Sequence, residues 1–503
     1  MTAGQELLLG LLVLPALGAV LAVGLPARLD RAARVGGTAF AAATLGVAVA
    51  LVSTYRGFAL GARQVKPWAA IDVSWARDLS LRFHIGVDGL SYPLVVLTAL
   101  LTTLCCAYTL WKVPGPGRGR LLVALLLVIE VGIVGVFLSL DLVLFFVFFE
   151  VVLLPMYAVI AVWGGPDRRR ASRKFVLYTL LGSVLLLVGV FTVVASAGTG
   201  DIVALTGAPA GHLSKATQML AFTLFAIAFA VKSPLWPLHT WLPDAHTEAP
   251  TVGSVILAGV LLKMGTYGLL RVGVGVAPDG ARQLAPVLGI LAVAAILVGG
   301  LVCLAQTELK RLIAYSSVGH MGFVLLGIAT LTATGFQAAA IGNVAHGIIT
   351  GLLFFLAGAI KDRAHTGDLS LLGGLREVAP ALSGVLGFAA IASLGLPGLA
   401  GFWGEAFAVV AAFERGGALW TVLGVLAALG AALAAAYFLR LLRRVTHGAA
   451  SPAVAPIGAR LSVAELVAWS PLVLLAIALG LVPALVLAVS GDPAAALAAV
   501  MSR

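Results

Sequence analysis

Apolar runs of about twenty residues follow one another along almost the whole chain, each long enough to cross a bilayer as a helix. They lie near 6–25, 35–54, 91–111, 121–139, 141–163, 175–197, 218–240, 250–270, 284–304, 310–330, 336–360, 380–412, 417–440 and 462–488. Of the 503 residues, 61% are hydrophobic and only 11% are charged. A water-soluble chain could not hide that much apolar surface, since even large cores leave ample surface to cover. In hydrocarbon every backbone donor and acceptor must be satisfied, which a helix does within itself. The sequence therefore predicts an all-α polytopic membrane protein with about fourteen spans.

The net charge of +11 would suggest a nucleic-acid partner in a soluble protein. Here the basic residues fall into alternate loops. With an even number of spans both termini share a side, and placing them outside puts Arg28, Arg31, Arg34, Lys112, Arg118, Arg120 and the run from Arg168 to Lys174 inside. Lys310, Arg311, Lys361, Arg363, Arg376, Arg440, Arg443, Arg444 and Arg460 join them. About 20 of the 32 Lys and Arg are then inside and about 10 outside, the bias expected of a membrane chain. Topology explains the charge, and no nucleic acid is expected. The start, MTAGQELLLG, has no basic n-region and carries Glu6, so it reads as an uncleaved first helix. The three cysteines, Cys105, Cys106 and Cys303, lack metal-ligand spacing and read as buried small hydrophobes. No glycine-rich nucleotide motif follows a strand pattern.

Two spans are interrupted. One contains AVKSPLWPLHTWLPDAH with Pro234, Pro237 and Pro243, and the other SLGLPGLAGFWGE with Gly395, Pro397, Gly398, Gly401 and Gly404. Proline removes a donor and clashes with the preceding turn, so both helices must break. Pro397 follows Pro234 by 163 residues, and the ninth span starts at the same offset from the fourth, 284 against 121. Five spans thus repeat as a unit, and an odd number inverts one copy against the other. This divides the chain into helices 1–3 (1–120), a first repeat (121–282), a second, inverted repeat (283–445) and a C-terminal loop and helix (446–503). Paired interruptions in two halves are the best sequence pointer to an ion site in such proteins.

Charges sit where hydrocarbon penalises them, at about 2.5–3.5 kcal/mol each on insertion scales. They are Glu130 and Glu150 in the fourth and fifth spans, Lys232 beside the first break, Lys263 in the eighth span and Glu405 beside the second break. They must pair or face water. A desolvated lysine holds its proton less tightly and a nearby carboxylate restores the hold, so movement of Glu150 relative to Lys232 would load and release a proton. Lys263 would pass it on. His346, in GNVAHGIITG, and His320, in SSVGHMGF, would relay it, because imidazole exchanges protons near neutral pH. Glu405 would face an exit or a neighbouring subunit. The plainer alternatives are a static ion pair for Glu150 and Lys232, a structural contact for Glu130 or Lys263, and satisfied core histidines. His84, His212, His239, His246, His365 and His447 lie near span ends and receive no role, and Asp141 reads as a helix cap.

The strings HIGVDGLSYPLVVLTALLT (84–102), FLSLDLVLFFVFFEVVLLPMY (137–157), VKSPLWPLHTWLPDAHTEAPTVGSVILAGVLLKMGTYGLLR (231–271), AQTELKRLIAYSSVGHMGFVLLGI (305–328) and LPGLAGFWGE (396–405) resemble the antiporter-like subunits M of bacterial complex I, the NADH–quinone oxidoreductase. These are counterparts of mitochondrial subunit 4. The resemblance covers most of the chain, most specifically 231–328, and weakens before 80 and after 440. It implies fourteen helices, inverted five-helix repeats and a central polar axis. It also implies proton-transfer roles for Glu130, Glu150, Lys232, Lys263, His320, His346 and Glu405. Sister L-type and N-type subunits, the expected neighbours, usually carry lysine where Glu405 stands. The resemblance further implies a bacterial plasma membrane, and no cofactor in this chain, with FMN, iron–sulfur clusters and quinone in partner subunits. A multisubunit sodium/proton antiporter or a membrane-bound hydrogenase is the alternative assembly, and a purely structural membrane spacer is a third class.

Overall fold

The computed structural model describes residues 2–55, 67–76, 81–207 and 213–501. His212, and the basic residues Arg56, Arg63, Lys66 and Arg77 assigned to an outer loop, lie outside the described residues. The chain opens with α1 (Ala3–Gly24) and α2 (Asp30–Ala50), an antiparallel hairpin of β1 (Ala69–Ala76) and β2 (Leu81–Val87), and α3 (Tyr92–Thr109). Then come α4 (Gly119–Leu138), α5 (Leu142–Val151), α6 (Leu153–Trp163), α7 (Arg168–Ala197) and the short α8 (Ile202–Gly207). They lead to α9 (Lys215–Lys232), α10 (Trp241–Glu248), α11 (Thr251–Ile256) and α12 (Leu262–Gly268). Two π-helical stretches, Leu257–Leu261 and Leu269–Val274, flank α12. After them run α13 (Pro278–Ala305), α14 (Leu309–Thr330), α15 (Ala333–Ala364) and the short α16 (Leu375–Val378). The last are α17 (Pro380–Ser393), α18 (Ala400–Arg415), α19 (Ala418–Thr446), α20 (Val463–Leu481) and α21 (Ala484–Met501). The hairpin is the one departure from an all-helical reading among the described residues, and it occupies a stretch assigned to a loop.

Contacts sort the helix ends into two layers. At one, the basic end, Arg120 donates to the Leu25 carbonyl at 2.7 Å, Lys112 pairs with Asp362 at 2.7 Å, and Lys310 donates to the Ala249 carbonyl at 2.9 Å. At the far end the Leu140 amide donates to His84 O at 2.9 Å and the Asp279 amide to Gln218 Oε1 at 2.9 Å. The helices alternate between these layers, with α5–α6, α9–α10, α11–α12 and α17–α18 each making a single pass. Among the described residues fourteen helices are long and apolar enough to cross a membrane, a set that includes α21 and leaves out the broken α17–α18. The expected last span, 462–488, ends earlier, at Leu481. Pro483 lacks the donor a helix would need, and α21 packs across the far end, its Val489 carbonyl against Gly89.

Both interruptions fall where the prolines and glycines place them. α9 stops at Lys232, and the Trp241 indole donates at 2.9 Å to the Val231 carbonyl that the break leaves without a helical partner. α17 and α18 are separated at Leu394–Leu399, where Gly395 has φ +79° and Gly398 φ +93°. Freed backbone is tolerated at membrane depth only where protein or water covers it, and each break has a buried flank, Lys232 and Ser233 at the first and Ser393 at the second, while Trp236 and Leu396 at their centres are exposed.

A second correspondence links the halves. Near the far end Asp141 and Asp201 form an isolated bridge, and at the basic end Glu308 and Asp368 form another. In each, the first acid caps the helix that follows it. Asp141 accepts from the Val143 and Leu144 amides, as its sequence position suggests, and Glu308 from the Arg311 amide. The same connection thus occurs at both ends of the molecule, as an inverted repeat requires.

Candidate proton-transfer axis

The segment Thr251–Val274 is wholly buried inside the protein in its most apolar window, and α14 and α15 are 94% buried in theirs, whereas the outer helices turn large apolar side chains outward. Lys263, His320 and His346 stand on these three innermost spans.

Lys263 carries the tightest contact. Its Nζ lies 2.6 Å from His346 Nδ1 and donates to the Ala258 carbonyl at 2.5 Å. Ala258 belongs to the first π-helical stretch, and such stretches recur at functional sites. His346 Nε2 has no hydrogen-bond partner among the described residues, and its ring centroid lies 5.9 Å from that of His320. His320 Nδ1 is 2.7 Å from Glu405 Oε1, and its Nε2 is 3.1 Å from Ser393 Oγ. A small cavity of about 30 Å³ is lined by His320, His346, Thr350, Ser393 and Glu405. One water needs roughly 10–15 Å³ on this measure, so the space can bridge the two rings. Lys263, His346, His320 and Glu405 therefore form one polar row through the interior.

The other end is looser. Lys232 is buried at the end of α9, its Nζ 4.7 Å from the centroid of the Phe149 ring, a cation–π contact. Among the described residues no carboxylate lies within salt-bridge distance of Lys232. Glu150, near the end of α5 just before the α5–α6 junction, is the opposite charge whose field reaches it, and among the described residues the buried Oε1 of Glu150 has no hydrogen-bond partner. The two are thus near but not joined, so the static ion pair is not what the structure contains. A Cβ added to Gly265 would fall 3.0 Å from Lys232 Cβ, so the segment bearing Lys263 packs directly on the break. Glu130 on α4 is fully buried, and among the described residues neither carboxylate oxygen has a hydrogen-bond partner, so there it satisfies no neighbouring helix.

Three features escaped the sequence. His246 on α10 is fully buried, stacked on Phe354 with centroids 4.6 Å apart, and among the described residues neither ring nitrogen has a hydrogen-bond partner. The signal was its place in LPDAHTEAP, directly after the first break. Lys310 is buried at the basic end beside a cavity of about 430 Å³ that Lys112, Glu248, Lys361 and Asp362 also line. Arg271, one residue past the expected end of the eighth span, is buried in the second π-helical stretch and pairs with Asp88 at 2.8 Å.

A bundle with two interrupted passes and a buried row of lysine, histidine and glutamate defines an antiporter-like membrane subunit. The sequence profile described as NADH:quinone oxidoreductase/Mrp antiporter, TM, matches residues 139–430, and the chain belongs to this family. It is 42% identical over 425 residues to the NADH-quinone oxidoreductase subunit M of Rhodobacter capsulatus, covering 82% of this chain and 81% of the relative. It is 45% identical over 379 residues to an NAD(P)H-quinone oxidoreductase chain 4 of Trichormus variabilis, covering 74% and 70%. A chain in the structure of respiratory complex I from Thermus thermophilus with bound NADH superposes with a TM-score of 0.87 at 30% identity, covering 98% of this chain and 99% of that one.

Proposed function

We propose that this chain is a proton-translocating membrane subunit of a bacterial NADH:quinone oxidoreductase. The observation that carries the reading is the contact of Lys263 Nζ with His346 Nδ1, deep in the protein and continued by His320 and Glu405. Ionisable groups are costly at this depth, and a row of them reads as a pathway. Lys232 takes a proton and Lys263 receives it. The ammonium of Lys263 gives its proton to His346 Nδ1 as His346 gives one from Nε2 to a bridging water. His320 accepts from that water and passes a proton from Nδ1 to the carboxylate of Glu405. Before the next proton can pass, each imidazole regains its starting tautomer by ring reorientation or exchange through the water, and Glu405 releases its proton at the exit. The position of Glu150 relative to Lys232 sets when that lysine loads, and Glu130 and His246 lie buried alongside. The cavity beside Lys310 would admit water from the basic end, here assigned to the cytoplasmic side, with both termini outside. Residues 121–282 and 283–445 are the two inverted repeats. FMN, iron–sulfur clusters and quinone belong to partner subunits, and the membrane neighbours are L-type and N-type subunits.

Replacing Lys232 or Glu150 with alanine should abolish proton pumping and coupled quinone reduction in the assembled complex. Wild-type pumping in Lys232→Ala would refute the assignment. The family description also embraces Mrp antiporters, while the relatives above, at 42% and 45% identity, bear oxidoreductase names. Copurification discriminates: partners with iron–sulfur clusters support this reading, a nickel-containing partner a hydrogenase, and neither a sodium/proton antiporter.

A further inference from the structure

At the far end, the β1–β2 hairpin meets the link between α7 and α8. Asp72 and His84 are register partners, and side chains alternate along a strand, so Asp72, Arg82 and His84 share one face of the hairpin. That face meets Asp201, whose Oδ1 is engaged with the Val203 and Ala204 amides at 2.9 and 3.0 Å. Its Oδ2 is left to face the hairpin. His84 is 8% exposed, and its Nδ1 points at Asp201 Oδ2 from 3.4 Å without hydrogen-bond geometry. One ligand atom from each of Asp72, His84 and Asp201 falls within 4.8 Å of the others. The Arg82 guanidinium lies between the carboxylates, bonded to Asp72 on one side and 3.3 Å from Asp201 Oδ2 on the other. A cation already holds the centre of the cluster, and its side chain is 38% exposed, free to swing outward.

We propose that Asp72, His84 and Asp201 form a zinc-binding site in which Zn²⁺ displaces the Arg82 guanidinium. A buried imidazole nitrogen with two carboxylate oxygens suits zinc, whereas magnesium and calcium prefer oxygen alone. Bonds of about 2.0–2.2 Å in a tetrahedral shell put ligand atoms roughly 3.4 Å apart, so the cluster closes by about an ångström around the ion, and water takes the fourth position. Bound zinc would staple the hairpin to the α7–α8 link, which also carries the Asp141 bridge. Arg82 is the built-in competitor, and its loss should tighten zinc binding roughly tenfold or more, since one positive charge at about 4 Å is removed.

The test uses the purified, assembled complex titrated with Zn²⁺ against a fluorescent zinc chelator. Arg82→Ala, or Arg82→Gln if the first fails to assemble, should bind one Zn²⁺ at least tenfold more tightly than wild type. Adding His84→Ala to the Arg82 variant should remove that one ion, and His84→Cys should restore it. Equal zinc stoichiometry and affinity in wild type, the Arg82 variant and the Arg82/His84 double variant would overturn the proposal.

Discussion

Lys263 Nζ sits 2.6 Å from His346 Nδ1, so one nitrogen must offer a lone pair while the other offers a proton. With Lys263 as donor, the neutral imidazole carries its own proton on Nε2, which faces the small cavity and has no hydrogen-bond partner. A proton arriving on one side of the ring can thus leave from the other. This separates two variants that delete the same imidazole. His346→Gln keeps an acceptor for the ammonium but cannot carry a proton through, so the complex should assemble while pumping falls at least tenfold. His346→Leu also removes one of the two acceptors of the buried ammonium, leaving only the Ala258 carbonyl, a loss of about 1–3 kcal/mol, and assembled subunit should drop as well. Everted-vesicle pumping normalised to assembled complex reads both, and wild-type pumping in His346→Gln would remove His346 from the pathway.

Much of this was written in residue type and position. The prolines at 234 and 237 place the first break, the glycines at 395 and 398 the second, and both charges beside the breaks stand inward. Asp141 caps its helix as an acid in a tight link should. Other features depend on partners distant in the chain. His246 and Lys310 belong to the interior only because α10 packs against α14, a contact that no local pattern encodes. The apolar run of the eighth span gives out near 270, one residue short of Arg271, whereas the π-helical stretch carries the pass to Val274, with Asp88 waiting 183 positions back in the sequence. The last span was drawn too long because Leu, Val and Ala continue past Pro483 without change of composition.

Glu405 is held by two features that mutation can separate. Its Oε1 meets His320 Nδ1 at 2.7 Å, and Oε2 lies 2.9 Å from where a Cβ on Gly395 would stand. Gly395 also has φ +79°, where a side chain costs roughly 1–2 kcal/mol. Glu405→Gln keeps the size and an acceptor for His320 but cannot ionise, so quinone reduction coupled to pumping should fall at least tenfold in a normally assembled complex. Gly395→Ala should instead push the carboxylate off His320, lowering activity less and assembled complex more. If Glu405→Gln pumps as wild type does, the row ends at His320.

The hairpin clasp has a pH dependence of known sign. Burial alone would lift the Asp201 carboxyl, but the His84 ring, the Ala204 amide and the Arg82 cation hold it below the ordinary range. A carboxylate lowered on folding stabilises fully above its unfolded value, and that contribution disappears as pH falls through the folded one. Protection of the β1–β2 amides against hydrogen exchange, relative to their intrinsic rates, should therefore be flat through neutral pH and fall only below about pH 4. Asp201→Asn keeps the α8 cap but not the charge, and should show the faster exchange already at pH 7. Identical exchange in both proteins at pH 7 would assign the attachment to the backbone bridges alone.

Arg271 and Asp88 form an ion pair at 2.8 Å with both side chains at most 3% exposed, joining the π-helical end of the eighth pass to the start of α3. Asp88 also organises its own turn, its Oδ1 accepting from the Leu90 and Ser91 amides. A pair this deep gains little over apolar packing, but losing one partner strands the other charge, at a cost of about 3–5 kcal/mol. Asp88→Asn preserves the turn, so its effect isolates the charge: thermal stability of the purified complex and the yield of assembled subunit should both fall. Arg271→Met alone should do the same. Combining them removes the stranded charge, and the double variant should be more stable than either single one. A double variant as unstable as the sum of the two would mean that the side chains act through separate contacts, and the bond between them would then not be what holds α3 to the eighth pass.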